Sequence, residues 1–268
     1  MGAGTLTGTE AGGANFDRRA LFYDGGLRRR DGALTMAGVR LTDIAEQVGT
    51  PTFVYNADSI RARYRALDTA LAPMPHRICY AVKANSNLAV LRVLRDLGAG
   101  ADIVSLGELR RALAAGFDAA SIVFSGGGKT VGELGTAAAL GVGHINVESI
   151  EELDLLMQVA SKAPSRIEVG IRVNPAVTAD THPYISTGQG GIKFGVPTDR
   201  VLEAARRISE HARLARGVLA MHLGCQLFDP TPYRAGTVPL QGPLTQVRSA
   251  GIHTIPHPDT AGGPRTRA

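Results

Sequence analysis

From about Thr52 onward, short apolar runs alternate with stretches whose apolar positions recur every three to four residues. The runs are Thr52–Tyr55, Ile78–Val82, Ala101–Val104, Ser121–Phe124, His144–Val147, Ile167–Val173 and Gly217–Leu223. Most are apolar at successive positions, as parallel strands covered on both faces must be. Between them the pattern predicts helices. Asp58 is placed to cap Ser59–Leu71, and Asn85 or Ser86 to cap Asn87–Leu97, which stops at Gly98. Leu106–Ala115 stops at Gly116 and Thr130–Leu140 at Gly141. Ser149 caps Ile150–Ser161, with Glu152 as the third residue of a capping box, and Pro197–Ala212 closes the set.

The polar residues that end these strands keep a steady rhythm. Lys83, Ser105, Ser125, Glu148 and Arg172 are separated by 22, 20, 23 and 24 positions. That is the length of a short βα unit, and it predicts an α/β fold of the (β/α)8 TIM-barrel type with these residues at the chemically active face. A doubly wound sheet shares the alternation and remains the other reading at this level. Two stretches fall outside the pattern. Residues 1–40 are Gly-rich without a clear period and read as an N-terminal extension. Residues 236–268 hold five Pro and five Gly in 33 positions, with Asp259 as their one acid. They read as a loop or disordered tail with one helical stretch, Leu244–Ala250. The barrel is therefore expected over 41–235 and expected to be incomplete.

Composition supports a folded core: of 268 residues, 44% are apolar and 20% charged. Cys79 and Cys225, 146 positions apart, exclude a disulfide scaffold and suit a reducing, cytoplasmic setting. No run approaches 18 apolar residues and the first 30 positions lack an apolar signal core, so neither a membrane span nor a secretory leader is expected. The net charge of +5 is spread along the chain, densest at Arg28-Arg29-Arg30. Without Trp and with 5% aromatics there is little surface for stacking bases, so the basic balance reads as a solvated surface rather than a nucleic-acid site.

Among candidate chemical residues Lys83 stands out. It follows Ile78–Val82, and a lysine at the end of an apolar strand is expected to be poorly hydrated, which frees its amine for Schiff-base chemistry. A strand-end lysine reaching into solvent is the equally available structural explanation. Phe124-Ser125-Gly126-Gly127-Gly128-Lys129-Thr130 invites a P-loop reading, but Val123 stands where the first Gly is required, leaving a Gly-rich turn that opens a helix. His222 ends its apolar run and alternation would face it into a barrel mouth. His144 and His182 are read as structural. No cluster has metal-ligand spacing and no nucleophile elbow occurs.

Five blocks taken together resemble the alanine-racemase-fold PLP decarboxylases. They are Tyr80-Ala81-Val82-Lys83-Ala84-Asn85, Ala101–Leu109, Arg172-Val173-Asn174-Pro175, Lys193-Phe194-Gly195 and His222-Leu223-Gly224, in the family's order from about Leu41 to Arg234. Gly49–Tyr55 and Gly191–Gly195 favour the diaminopimelate branch over the ornithine and arginine branches. The resemblance implies that Lys83 holds pyridoxal 5'-phosphate as a Schiff base, that His222 stacks on its ring, and that Glu108 and Arg172 line its pocket. Gly224 and Cys225 would lie at the phosphate, with Cys225 standing where the family has Ser, a weaker donor for that role. It further implies PLP-dependent decarboxylation of meso-diaminopimelate to L-lysine, a lyase step of lysine biosynthesis, and a homodimer. The resemblance fades after Tyr233-Arg234. The family's Gly loop, its Glu-Pro-Gly-Arg segment and its C-terminal β-domain find no counterpart, so a chain truncated or shifted in frame from about residue 235 is expected to be inactive alone. A PLP-binding module without catalysis, or a fragment without function, is the alternative.

Overall fold

The computed structural model describes residues 26–161, 163–174, 194–222, 231–252 and 259–261. Three short strands come first: β1 (Leu27–Arg30), β2 (Ala33–Met36) and β3 (Val39–Arg40), antiparallel in that order. The first two are joined by Asp31-Gly32 and the last two by Ala37-Gly38, all four at positive φ. Two such residues in succession match the right-handed twist of a hairpin. The extension expected over 1–40 thus carries an ordered sheet, and Asp31-Gly32 was its readable signal. Thr35 is buried, while Arg28, Arg29 and Arg30 are exposed on β1.

Helix α1 (Leu41–Val48) follows, then α2 (Ala57–Leu71). Between them Thr52–Tyr55, expected as a strand, pairs with no strand among the described residues, and Phe53 is 88% exposed. Its apolar run is a surface segment, so burial never selects the extended ladder the pattern suggested. Asn56 rather than Asp58 caps α2, its Oδ1 accepting from the Asp58 N–H at 2.9 Å. The chain divides inside this helix, after Arg63, into two compact units.

The second unit is built on a parallel sheet: β4 (Cys79–Ala81), β5 (Gly100–Ile103), β6 (Ile122–Phe124), β7 (His144–Val147), β8 (Ile167–Asn174), the two-residue β9 (Val196–Pro197), β10 (Leu214–His222) and β11 (Asp259–Ala261). Its order is β4-β5-β6-β7-β8-β10-β11, with β9 paired beside the end of β8. Each new strand adds to the same side of the previous one. A doubly wound sheet reverses direction at a switch point, so this order selects the barrel type. Among the described residues β4 and β11 do not pair, and the sheet stays open.

Helices α3 (Leu88–Asp96), α4 (Leu106–Ala115), α5 (Val131–Ala139), α6 (Ile150–Ala160), α7 (Val201–Glu210) and α8 (Thr231–Ser249) connect the strands. Their starts are set by side chains that satisfy orphan N–H groups. Asn87, not Asn85 or Ser86, caps α3. Ser105 caps α4, and Thr130 with Glu133 forms a full capping box on α5. Ser149 caps α6, but Glu152 does not complete that box; its carboxylate is drawn to Lys129 instead. The core packs Leu91, Ile103, Leu109, Phe124, Leu134, Ile145, Leu153 and Ile208 between strands and helices. The segment expected as a loop or disordered tail belongs to it. Leu240, Val247 and Ile252 are buried, Leu244 packs against them, and Asp259–Ala261 pairs parallel with β10. Pro239, Gly242 and Pro243 hid this helix from propensity, while burial of one apolar stripe outweighs their cost.

Candidate functional site

The strand ends enclose a cavity of about 170 Å³. Lys83 reaches it from the single 3-10 turn that follows β4, Asp102 and Val104 from the end of β5, Ser125 and Gly126 after β6, and Asn146 from β7. Arg172 on β8, Phe194, and Ala220, Met221 and His222 at the end of β10 complete the wall. Alternation explains the selection. On β7, Asn146 faces the cavity while Ile145 and Val147 are buried in the apolar core; on β8, Arg172 does so between Ile171 and Val173.

The site's floor is a buried polar pair. His144 Nε2 donates to Asn146 Oδ1 at 2.8 Å, and Asn146 Nδ2 donates to Ser125 Oγ at 3.2 Å. Gly170 on the neighbouring strand leaves room for them, because a Cβ there would run into Asn146 Oδ1 and His144 Nε2. Arg172 Nη1 donates to Glu148 Oε1 at 2.7 Å, and its guanidinium lies 5.5 Å from the centroid of the Phe194 ring. Beneath the Gly-rich turn, Lys129 Nζ donates to Gly126 O at 2.5 Å, to Asn146 O at 2.8 Å and to Glu152 Oε1 at 2.6 Å. Burial pushes the Glu152 carboxyl up, against the opposing pull of Lys129. This lysine, the residue that invited a phosphate-loop reading, is consumed inside the fold.

His222 is pushed down to about 4, first by burial and then by the Arg172 and Lys83 cations beside it. It is therefore an uncharged imidazole at pH 7. Between its ordinary value of 6.5 and about 4, the unfolded chain takes up a proton that the folded chain refuses. Acidification through that window is expected to remove about 3 kcal/mol of stability, fully present above it and lost below it. NMR titration of the His222 ring checks the midpoint. Unfolding at pH 7 and pH 4.5 checks the energy, since His222→Phe should narrow the difference between the two.

Of the residues singled out from sequence, Lys83, Arg172 and His222 meet in this cavity. Lys83 is exposed, so the desolvation expected of it is not found; the 3-10 turn carries it past the strand end. Glu108 does not line the cavity. It sits in the first turn of α4 and its Oε2 accepts from the Val104 N–H at 2.8 Å, bracing the strand end instead. Gly224 and Cys225 lie outside the described residues, as do His182 and Lys193. Asp102, Asn146 and Phe194 were not anticipated. The signal for the first two was a polar residue at an alternate position within an apolar run. Among the described residues, no group of three or more His, Cys, Asp and Glu side chains could hold a metal, and no helix is long and apolar enough to cross a membrane.

The model of the pyridoxal-dependent decarboxylase family, pyridoxal binding domain, matches residues 57–266, running past Arg234 where the motif-by-motif resemblance stops. The chain is 48% identical over 234 residues to diaminopimelate decarboxylase of Pseudomonas aeruginosa, covering 87% of this chain and 56% of that protein. It is 43% identical to the Vibrio cholerae diaminopimelate decarboxylase, with 88% and 56% covered. Among solved structures, diaminopimelate decarboxylase of Helicobacter pylori complexed with L-lysine matches with a TM-score of 0.77 at 36% identity, covering 80% of this chain and 55% of that one. The M. jannaschii enzyme in co-complex with L-lysine matches at 0.80 and 31%, with 90% and 57% covered. The chain spans about half the length of the curated relatives it matches.

Proposed function

Because the chain belongs to the pyridoxal-dependent decarboxylases, we propose that its cavity binds pyridoxal 5'-phosphate at Lys83 and serves the decarboxylation of meso-diaminopimelate to L-lysine. The observation that carries the reading is the meeting of Lys83, Arg172 and His222 at the strand ends of one barrel-type sheet. The donor set fits an aromatic aldehyde. A primary amine stands at an open wall, a neutral imidazole offers a flat face, and a guanidinium is held in place by a carboxylate. When bound, the group supplies an aldehyde that captures amines and a ring that accepts the electrons left by loss of a carboxylate.

The chain's own residues do the rest. Lys83 would be the attachment point, and its exposure leaves its amine within reach of an incoming substrate. Burial, reinforced by the Arg172 and Lys83 cations, keeps His222 uncharged, so the imidazole packs as a ring and neither repels a cation nor draws a proton. Phe194 and Met221 dry one wall of the cavity. An amino-acid substrate, a homodimer and a cytoplasmic setting belong to the same proposal, as does the division into an extension (1–40) and a barrel (41–235) whose packing continues into residues 236–268. Gly224 and Cys225 are proposed at the phosphate, and Glu108 acts by holding the β5 end.

The test is direct. Purified protein mixed with pyridoxal 5'-phosphate should develop a new absorbance band between roughly 330 and 430 nm, as expected of a lysine adduct. Borohydride reduction should fix the group on the peptide containing Lys83. Lys83→Ala should lose both while remaining folded. Carbon dioxide release from meso-diaminopimelate then tests the reaction. Capture without release would leave a cofactor-binding module, and no capture by folded protein would sink the proposal.

A further inference from the structure

Four charged side chains form two ion pairs beside the cavity, joined through the Glu148 main chain. Lys129 and Glu152 form the first pair at 2.6 Å, with 1% and 7% of their side chains exposed. Glu152 also accepts from the backbone N–H of Glu148. Glu148, 3% exposed, then holds Arg172 at 2.7 Å, and Arg172, 13% exposed, is the member that faces the cavity. Glu148 itself lies behind the wall, against the Gly127 backbone. Its second oxygen, Oε2, is buried without a hydrogen-bond partner among the described residues. Burying a carboxylate that is matched at only one oxygen is a poor way to stabilise a fold. What the carboxylate does at this position is fix a guanidinium. Without it, Arg172 would border an open cavity without its salt-bridge partner, free to swing into water or toward Asp102, which lines the same cavity.

We propose that Glu148 is a positioning residue: it holds the Arg172 guanidinium against the Phe194 ring at the cavity wall, and the buried Lys129–Glu152 pair holds the Glu148 main chain from behind. The inference rests on the proposed cofactor reading for its consequence, since Arg172 then borders the bound group. Its geometry stands without that reading. A 1 Å displacement of such a group commonly costs up to a hundredfold, so Glu148→Gln should weaken pyridoxal 5'-phosphate capture at Lys83 by roughly tenfold or more.

The experiment uses the full chain and two readouts. In the cofactor-free protein, the His222 ring reports on its Arg172 neighbour. Glu148→Gln should release the guanidinium and raise the His222 midpoint toward the ordinary range. Arg172→Gln should raise it similarly, and Glu148→Gln added to Arg172→Gln should raise it no further. Glu148→Asp, which keeps the charge, should stay nearer the unmodified protein. The double variant also lacks an uncompensated buried charge, so it folds if Glu148→Gln alone does not, and its comparison with Arg172→Gln still decides the matter. A midpoint that is unchanged or lower in Glu148→Gln, or an equal further effect of Glu148→Gln without Arg172, overturns the proposal. In the cofactor-loaded protein, capture should weaken in Glu148→Gln and in Arg172→Gln alike. Failure of the unmodified chain to capture cofactor would count against the proposed function, while the His222 titration would still judge Glu148.

Discussion

Gly170→Ala is expected to destabilise the chain by about 4 kcal/mol and to disorder the cavity floor. The methyl group would point at Asn146 Oδ1 and His144 Nε2, which are bonded to each other at 2.8 Å inside the sheet. Both side chains are at most 9% exposed, so neither has a free volume to retreat into. Moving them breaks the bond and strands two polar atoms, about 1–3 kcal/mol for such a loss. Forcing a methyl into a filled interior adds about 1–3 kcal/mol. Denaturant unfolding of the two proteins measures the sum. Asn146→Ala introduced alongside should recover part of the loss, because it removes one obstacle. A loss below about 1 kcal/mol would mean that the floor yields and that the glycine is not required there.

Lys129→Met is expected to cost about 3–5 kcal/mol, since it leaves the Glu152 carboxylate buried with its cation gone. The Gly126 and Asn146 carbonyls lose their donor in the same stroke, and both residues line the cavity. Burial already pushes Glu152 up while Lys129 opposes it, so without the lysine the carboxyl should hold its proton to higher pH. The variant's deficit should then shrink as the solution is acidified. Replacing both partners, Lys129→Met with Glu152→Leu, should restore most of the stability, as apolar substitutes of buried ion pairs often do. If the single variant unfolds at the same denaturant concentration as the unmodified chain, the pair is not the strut described here.

Much of this was legible in the residues. The period of the strand ends gave the βα units, because each polar end marks where an apolar run leaves the core. The same period put Lys83 and Arg172 at one face and alternation turned His222 toward it, while the roles given to them came only from the resemblance to the family's motifs. The resemblance alone put Glu108 at the pocket; a glutamate in a first helical turn can serve a pocket or the backbone, and here its Oε2 accepts from the strand-end N–H of Val104. Glu152 misled for the mirror reason: a capping box was available, and a buried ammonium outbid it. Of the helix Thr231–Ser249 only the stretch from Leu244 was legible, because three prolines and two glycines mask the rest and its support comes from α7 and the core rather than from its own propensity. Thr52–Tyr55 shows the converse, an apolar run with strand character and, among the described residues, no neighbouring strand to pair with.

The one-directional order of the sheet also bears on how the chain is made. Each strand from β4 to β8 needs only the one before it, about two dozen residues upstream. At roughly 5–20 residues per second, a ribosome delivers one such unit every one to five seconds, far slower than a short loop closes. The sheet can therefore accrete from its amino-terminal edge while synthesis continues, and each new strand covers the edge that its predecessor left bare. The nascent chain then exposes one unpaired growing edge at a time, rather than a collection of strands waiting for distant partners.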